Sequence, residues 1–327
     1  MGEFDLIRRY FTRPTPRAVL GVGDDCALLQ PRPGMQLAIS SDMLVEGRHF
    51  LSTVSPAALG HKALAVNLSD LAACGAQPLA FTLALALPRA DAAWLEPFSQ
   101  GLMALADAHG CELVGGDTTQ GPLNICITVF GEVPPGQALL RTGAQVGDDL
   151  YVSGTLGDAR LALEVFRGTV SLPEADFVQA RHRLERPTPR VALGLALRGI
   201  ATAAADISDG LLGDLGHILR SSQAGAVIDT SIAINLIAIN AYNTSASALF
   251  DSEKYLAYVL AGGDDYELVF TAPPSAREAV AAAATQADTP VTRIGRIETR
   301  TAQAPIRLVD ADGAPVLHTF SGFDHFA

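Results

Sequence analysis

The sequence predicts a mixed α/β protein built from two domains. Its 327 residues exceed what one compact core usually takes and are comfortable for two. Hydrophobic residues make up 49% of the chain and charged residues 18%, so large cores can form and disorder is not expected. Short apolar runs of strand length alternate with longer segments of helical period, which is typical of α/β folds.

The first half of the chain is predicted to contain three helices and five strands. Pro56 lies near the start of the second helix, Gly75 ends it, and Pro78 blocks its continuation. By the same hydrophobic periods, helices are predicted at Glu3–Phe11, Pro56–Ala76 and Asp91–His109, and strands at Ala18–Val22, Gln36–Ser40, Leu79–Leu87, Cys111–Val114 and Asn124–Glu132.

The segment Pro134-Pro135-Gly136 interrupts this pattern and predicts a domain boundary, with domains at residues 1–135 and 136–327. The second half repeats the mixed style. Helices are predicted at Asp158–Phe166, Glu174–Leu184, Pro189–Arg198, Leu211–Ser221 and Ser275–Thr285, and strands at Asp149–Ser153, Ala226–Ile228, Leu268–Thr271 and Thr292–Ile297. No structure is predicted for Thr230–Leu249, which is rich in Ile, Asn and Ala.

Composition narrows the partners and the compartment. A formal net charge of −12 repels nucleic acid and anionic membranes, so neither is an expected partner. The four cysteines form no C-x-x-C pair and no zinc-ligand spacing, which favours small buried side chains in a reducing compartment. The first eleven residues carry charges where a signal peptide is apolar, and Leu79–Leu87 is far shorter than the ~20 residues that span a bilayer. A cytoplasmic location is therefore expected.

Six clusters of Gly, Ser, Asn and Asp stand out, several of them directly after an apolar run. They are Gly23–Asp25, Ser40–Asp42, Asn67–Asp70, Gly115–Thr118, Asp206–Gly210 and Gly262–Asp265. A single Gly-Asp pair is an ordinary turn. Doubled aspartates are different, because adjacent like charges are unfavourable unless they share a cation. Magnesium prefers oxygen ligands and is commonly held by one or two carboxylates plus substrate phosphates.

Other phosphate-binding motifs are missing from the sequence. It has no G-x-x-x-x-G-K-[ST] loop, and its only lysines are Lys62 and Lys254. Gly21-Val22-Gly23 starts like a dinucleotide fingerprint but lacks the third glycine, and no protein-kinase motif set is present. If the chain uses a nucleotide, metal ions and main-chain groups have to neutralise its phosphates.

The clusters belong to longer motifs that resemble those of the thiamine-monophosphate kinase family. The motifs are GDDCALL at Gly23–Leu29, SSDMLVEGRHF at Ser40–Phe50, KALAVNLSDLAACGA at Lys62–Ala76, GGDTT at Gly115–Thr119, DISDGL at Asp206–Leu211, GGDDYEL at Gly262–Leu268 and GFDHF at Gly322–Phe326. They follow the family's order over nearly the whole chain. The short acidic pieces alone would fit the wider aminoimidazole ribonucleotide synthetase superfamily.

The resemblance implies a two-domain aminoimidazole ribonucleotide synthetase-like fold, with an N-terminal α/β domain that forms a homodimer through its sheet and a C-terminal α/β domain. ATP and several Mg²⁺ ions would lie in the cleft between them. Metal ligands would be Asp25, Ser40, Ser41, Asp42, Asp70, Asp117, Asp206 and Asp209. ATP contacts would be Gly116, Asp117, Arg141 and Ser208, and contacts to thiamine monophosphate would be His49, Asp264 and Phe323.

The sequence departs from the family pattern at three of these positions. Asp264 stands where Glu is frequent, so its carboxylate reaches one methylene less far. Phe323 stands where Tyr or Trp is common, which keeps ring stacking but loses a polar contact. Ser41 replaces a frequent Thr and keeps the oxygen. The first two departures concern the details of the substrate pocket.

Structural alternatives stay open for several of these residues. Asp70 lies three positions after Asn67 on one helix face, and both need partners if that face is buried. Asp206 and Asp209 could cap the helix that follows them. Arg141 could be an ordinary surface arginine and His49 an ordinary loop histidine, and Phe323 by itself would be a core residue.

The implied reaction is direct in-line transfer of the γ-phosphoryl group of ATP to the phosphate of thiamine monophosphate. The acceptor is itself an ionised phosphate with a second pKa near ~6, so no residue is assigned as a general base. The alternatives are a superfamily relative such as aminoimidazole ribonucleotide synthetase, and a cation- or nucleotide-binding protein without turnover. Selenophosphate synthetase would need a reactive cysteine with a nearby lysine, and the hydrogenase-maturation relative ends in cysteine, whereas this chain ends His325-Phe326-Ala327.

Overall fold

The computed structural model of the chain describes residues 2–238, 252–301, 305–317 and 320. It divides into two compact units. The first comprises Met1–Leu71 and Ala76–Ala138, and the second comprises Ala72–Gly75 and Leu139–Ala327. The Pro134-Pro135-Gly136 segment lies near the end of the first unit.

The first unit contains a four-stranded sheet with strand order β1-β4-β2-β3. Only β2 and β3 pair in parallel, because α3 connects them, and the other neighbours are antiparallel. The strands are β1 (Gln36–Val45), β2 (Gln77–Leu87), β3 (Glu112–Gln120) and β4 (Asn124–Val133). The helices are α1 (Glu3–Leu6), which continues as a π-helical turn over Ile7–Phe11, α2 (Pro56–Ala73) and α3 (Ala92–His109).

Local signals explain where the helices of the first unit begin and end. The side chain of Asp91 caps α3 by accepting a hydrogen bond from the N–H of Ala93 at 3.0 Å. Gly110 ends the helix in the left-handed conformation at φ 57°. Helix α2 is buried almost all round, with Leu64 and Leu68 fully inaccessible, so it forms the middle of the core.

The outer face of β1 is uncovered in this unit. Leu37, Ile39 and Met43 alternate along the strand and are 43%, 61% and 53% exposed. Alternation places their side chains on one face of the sheet and those of Ser40 and Asp42 on the other. Apart from Ser41, the side chains of this face from Leu37 to Met43 are apolar, so the face has the character of an interaction surface.

The second unit contains a six-stranded sheet with strand order β10-β7-β9-β5-β8-β6. Its neighbours are antiparallel except for the β10–β7 pair. The strands are β5 (Asp149–Ser153), β6 (Ala203–Ile207), β7 (Ala224–Asp229), β8 (Glu267–Ala272), β9 (Val291–Thr299) and β10 (Ile306–Val309). The helices are α4 (Asp158–Phe166), α5 (Glu174–Glu185), α6 (Val191–Ala196), α7 (Leu211–Ser222), α8 (Thr230–Ala233), α9 (Ser252–Ala261) and α10 (Arg277–Gln286).

The predicted mixed α/β class is confirmed, and most predicted elements are present, with most strands longer than predicted and helices α2 and α6 shorter. The strand predicted at Ala18–Val22 is wrong, because those residues form only isolated bridges and join neither sheet. Helix α9 and strands β6 and β10 were not predicted. Part of Thr230–Leu249 lies outside the described residues, and the rest includes α8 and a 3₁₀ turn at Ile234–Leu236. Within the described ranges, no helix combines the length and apolarity needed to cross a bilayer.

A buried ionic network holds one end of the second sheet. Glu267, the first residue of β8, is fully inaccessible to solvent. Its carboxylate accepts hydrogen bonds from Arg183 Nη2 at 2.8 Å, from Arg190 Nε and Nη2 at 2.6 Å each, and from Ser153 Oγ at 2.6 Å. Gly154 lies directly against it, since an added Cβ there would stand 2.1 Å from Glu267 Oε1. The network therefore joins β5, β8 and α5 through one carboxylate.

Helix α7 begins with an acidic side chain that folds back over its own start. The N-cap residue is Gly210, which offers no side-chain cap. Instead, Asp214 Oδ2 accepts hydrogen bonds from the N–H groups of Ser208 and Asp209 at 3.0 Å each. Asp214 is 4% exposed, and its burial raises the pKa of the carboxyl to about 6.

Replacing Glu267 with Ala should lower the free energy of unfolding of the second unit by about 3–5 kcal/mol, because the largely buried guanidinium groups of Arg183 and Arg190 would lose their counter-charge. The matched control is Glu298→Ala, which also removes a carboxylate paired with two arginines. Those arginines, Arg296 and Arg307, are 66% and 46% exposed, so its effect should stay below about 1 kcal/mol. Urea unfolding of both variants measures the difference, and equal losses would contradict the buried-charge account.

The raised pKa of Asp214 predicts a pH dependence of stability. The folded carboxyl binds its proton more tightly than the unfolded one, so its contribution is complete below about pH 4 and is lost as the pH rises through about 6. Asp214→Asn keeps an oxygen acceptor but does not titrate. The unfolding free energy of the variant minus that of the wild type should therefore increase by about 3 kcal/mol between pH 4 and pH 7. Urea unfolding in metal-free buffer measures this difference at each pH. A difference that does not change with pH would contradict the raised pKa of Asp214.

Candidate functional site

Two of the acidic clusters meet at one cavity in the first unit. The cavity has a volume of about 570 Å³ and is lined by the Gly23–Asp25 loop and by β3 residues 115–118. Asp25 and Asp117, predicted as metal ligands, both line it and are exposed. The structure therefore brings two carboxylates from distant positions in the sequence to one cavity.

Gly116 allows β3 to pass close to β2 beside this cavity. Its φ is 144°, and an added Cβ would stand only 1.9 Å from the carbonyl oxygen of Leu83 on the neighbouring strand. No other residue fits there without moving β3 away from β2. Main-chain groups of residues 115 and 116 consequently line the cavity, which suits close approach of an anion.

A second group of predicted ligands lies between β1 and α2. Ser40 Oγ donates a hydrogen bond to Asp70 Oδ2 at 2.5 Å, so these two side chains are in direct contact. The N–H of Asp42 donates to Asn67 Oδ1 at 3.0 Å, and Asn67 Nδ2 donates to the carbonyl of Ala63. Asn67 is completely buried and joins the strand to the helix. The polar face of α2 thus has a structural partner at Asn67 and a candidate ligand at Asp70.

Ser41 points away from this group. Its Oγ donates to the carbonyl of Ile127 at 3.1 Å and lies 3.0 Å from Thr128 Oγ1, on the outer face of the sheet. Strand alternation places Ser40 and Asp42 on the opposite face. The hydroxyls of Ser40 and Ser41 therefore do not converge within this unit, and the role of Ser41 as a metal ligand stays a prediction.

His49 is held in place by the loop that follows β1. Its Nδ1 accepts a hydrogen bond from the N–H of Val45 at 2.9 Å, so the ring proton of the neutral form is on Nε2. Its carbonyl accepts from Lys62 Nζ at 3.1 Å, and Lys62 is only 2% exposed. The sequence analysis did not assign Lys62 a role. The signal that could have found it is a lysine whose neighbours one helical turn away on either side are apolar.

The predicted residues of the second unit are adjacent at the β6–β8 end of its sheet. Asp206 lies at the end of β6 and is 6% exposed, and Ser208 and Asp209 form the loop before α7. Asp209 does not cap the helix, because Gly210 is the N-cap residue. The N–H of Asp264 donates to the carbonyl of Ser208 at 2.9 Å, which brings the predicted acceptor contact next to the predicted ATP contact.

Arg141 carries an exposed side chain near the Asp209 loop. Its positive charge opposes the effect of burial on the pKa of Asp214, and it helps burial and Arg220 to lower the pKa of His217. Its carbonyl accepts a hydrogen bond from Ser222 Oγ at 3.2 Å, which ties its main chain to the end of α7. Phe323 lies outside the described residues.

The donor atoms fit a hard cation, although no three carboxylate, imidazole or thiol groups of the described ranges form a metal-binding cluster. Asp25 with Asp117, and Ser40 with Asp70, supply oxygen donors in pairs. Magnesium is commonly held by one or two carboxylates, with water and phosphate oxygens completing its shell. These pairs of oxygen donors are therefore compatible with Mg²⁺ that arrives together with a phosphorylated ligand.

Both halves of the chain match known family models. Residues 23–133 match the N-terminal domain of AIR synthase related proteins, and residues 145–306 match the C-terminal domain. A thiamine-monophosphate kinase of Escherichia coli (strain K12) is 45% identical over 332 residues, which cover 100% of this chain and 98% of the relative.

Solved structures agree with these matches. A thiamine-monophosphate kinase from Stenotrophomonas maltophilia K279a is 45% identical and superposes with a TM-score of 0.82 over 96% of each chain. A structure of AaThiL complexed with AMPPCP and TMP is 30% identical, with a TM-score of 0.74 over 99% of this chain and 96% of that one. The chain therefore belongs to the thiamine-monophosphate kinase family of AIR synthase related proteins.

Proposed function

We propose that the chain transfers the γ-phosphoryl group of ATP to thiamine monophosphate, which gives thiamine diphosphate and ADP. The observation that carries this proposal is the 45% identity to a thiamine-monophosphate kinase over the full length of both chains. A similar structure holds AMPPCP, an ATP analogue, together with TMP. The acidic clusters, and the cavity that is lined by the main chain of Gly115 and Gly116, agree with binding of phosphorylated ligands.

The reaction requires correct positioning of the two substrates more than it requires acid–base catalysis. A non-bridging oxygen of the acceptor phosphate forms a bond to the γ-phosphorus, and the bond between that phosphorus and the β–γ bridging oxygen breaks, so ADP leaves with the electron pair. The acceptor is largely ionised at neutral pH and supplies its own nucleophile. The residues of this chain therefore have to hold two anions in line and offset their repulsion.

The predicted residues divide this work between them. Asp25, Ser40, Ser41, Asp42, Asp70, Asp117, Asp206 and Asp209 would hold several Mg²⁺ ions, which neutralise phosphate charge when bound. Gly116, whose main chain lines the cavity, contacts ATP together with Arg141 and Ser208. His49, Asp264 and Phe323 contact the acceptor, and the hydrogen bond from Val45 N–H fixes the ring of His49.

We also infer that the protein is a cytoplasmic homodimer that pairs through the outer face of β1. That face presents Leu37, Ile39 and Met43 to solvent along one strand. A second copy of the same face would bury these side chains by a two-fold contact. These exposed side chains are apolar and uncharged, which favours another copy over a nucleic acid.

The activity is tested with purified protein, ATP, Mg²⁺ and thiamine monophosphate, with thiamine diphosphate detected by chromatography. Product should form from the monophosphate and not from free thiamine, because the acceptor has to be a phosphate. If no product forms while metal-dependent ATP binding is intact, the acceptor is wrong, and formylglycinamidine ribonucleotide is the next acceptor to test.

Replacing Asp42 or Asp209 with Asn should lower kcat by about a hundredfold or more, because each change removes a charge that holds a metal ion against the phosphates. The fold should be retained, since Asn has the size of Asp. The control is Asp312→Asn, an exposed surface change in the second unit. Initial rates measure turnover of all three variants, and circular dichroism checks that they are folded. Wild-type turnover in Asp42→Asn or Asp209→Asn would show that the replaced residue is not a metal ligand of the active site.

Ile39→Glu should convert the dimer to a monomer, because it places a charge at the centre of the apolar face of β1, where Ile39 is 61% exposed. Val146→Glu is the matched control, since Val146 is 63% exposed but lies in the other unit. Sedimentation velocity measures the change. A wild-type protein that sediments as a monomer, or an Ile39→Glu variant that remains a dimer, would exclude this interface.

A further inference from the structure

The three residues before β8 have an unusual main-chain conformation. Asp264 and Tyr266 adopt φ values of 66° and 51°, and they are two of the four non-glycine residues with positive φ among those described. L-residues with a Cβ rarely adopt this region, and such conformations persist only where the surroundings impose them. Contacts within the second unit must therefore impose this conformation on the segment.

The residue between them is the anchor. Asp265 is 1% exposed, and its Oδ1 and Oδ2 accept a hydrogen bond from the N–H of Gly157 at 3.0 and 3.1 Å. Its carbonyl accepts from Arg183 Nη2 at 3.2 Å, and the same nitrogen donates to Glu267. Asp265 is thus fixed through its side chain and its main chain, one residue away from Asp264.

The main chains of the two flanking residues are hydrogen-bonded to the end of β6 and to the Ser208 loop. The N–H of Asp264 donates to the carbonyl of Ser208 at 2.9 Å, and the N–H of Tyr266 donates to the carbonyl of Ile207 at 2.8 Å. The hydroxyl of Tyr266 donates to Asp264 Oδ1 at 3.3 Å. The carboxylate of Asp264 is held by a hydroxyl two residues away, on a main chain that Asp265 sets.

We propose that Asp265 is a positioning residue that fixes the Asp264 carboxylate for binding of the acceptor, with Tyr266 holding that carboxylate in one orientation. The inference rests on the proposed function, in which Asp264 contacts thiamine monophosphate. A carboxylate attracts the cationic and N–H-donating part of this acceptor and repels its phosphate. Asp265 and Tyr266 therefore act on the affinity for the acceptor, because they hold the carboxylate that attracts its cationic part. The affinity for ATP depends on other residues.

The test compares Asp265→Ala with Asp158→Ala. Asp158 is the matched control, because it is 2% exposed and its two carboxylate oxygens also accept from one main-chain N–H, that of Ala238, at 3.1 and 3.3 Å. For Asp265→Ala, the KM for thiamine monophosphate should rise about tenfold or more while the KM for ATP changes less than about twofold. Asp158→Ala should leave both KM values unchanged even where it lowers stability.

A conservative variant separates positioning from general damage. Asp265→Asn keeps an oxygen acceptor for the N–H of Gly157, so it should recover most of the acceptor affinity. Tyr266→Phe removes only the hydroxyl and should raise the acceptor KM several-fold with kcat retained, and it decides the question if Asp265→Ala does not fold. Unchanged acceptor KM in folded Asp265→Ala, or in Tyr266→Phe, overturns the inference.

Amide hydrogen exchange supplies a readout that does not need turnover. In Asp265→Ala, the N–H groups of Asp264 and Tyr266 should lose protection, and in Asp158→Ala they should keep it. If the wild type does not phosphorylate thiamine monophosphate, the proposed function fails, and exchange alone decides the positioning. Protection retained in Asp265→Ala overturns the positioning role whatever the activity is.

Discussion

The second unit depends on the burial of one carboxylate. Glu267 has no solvent exposure, so its charge has to be compensated by protein groups. Arg183 from α5, Arg190 from the start of α6 and Ser153 from the end of β5 supply that compensation. Since a buried ion pair is costly to break, these elements keep one relative placement. Glu267 opens β8, and the loops that carry Ser208 and Asp264 lie at the same end of the sheet, so a structural network supports the candidate site.

The same unit uses most of its arginines on its own carboxylates. Asp149 pairs with Arg277 and Arg293, and Glu298 pairs with Arg296 and Arg307. In the first unit the buried Lys62 donates to the carbonyl of His49. The net charge of the chain is −12, and many of its arginine side chains are already paired with protein carboxylates. Few cationic side chains are therefore available to bind anionic ligands. Under the proposed function, Mg²⁺ and Arg141 supply the missing positive charge, which explains why the clusters are acidic.

Sequence patterns located the acidic clusters but did not separate candidate ligands from residues that support the fold. Asn67 and Asp70 share a helix face, yet Asn67 holds the main chain of Asp42 while Asp70 contacts Ser40. Asp209 stands where a helix cap is expected, but Asp214 supplies the acceptor from within the first turn. Asp265 follows Asp264 directly, and only its burial shows that it is an anchor. Both members of each pair carry side-chain oxygen atoms and lie close together in the sequence, so what separates their roles is which partner each side chain meets in the folded chain.

The sequence by itself determined the mixed α/β class, most helix and strand positions, the clusters that carry the oxygen donors and the family resemblance. These follow from hydrophobic period, turn residues and short motifs, which are local properties of the chain. It did not determine that Ala18–Val22 stays outside both sheets, that Ser41 faces away from Ser40 and Asp42, or that Glu267 collects two arginines. Tertiary structure decided these points, because strand pairing, the covered face of a sheet and the partner of a buried charge depend on residues far away in the chain.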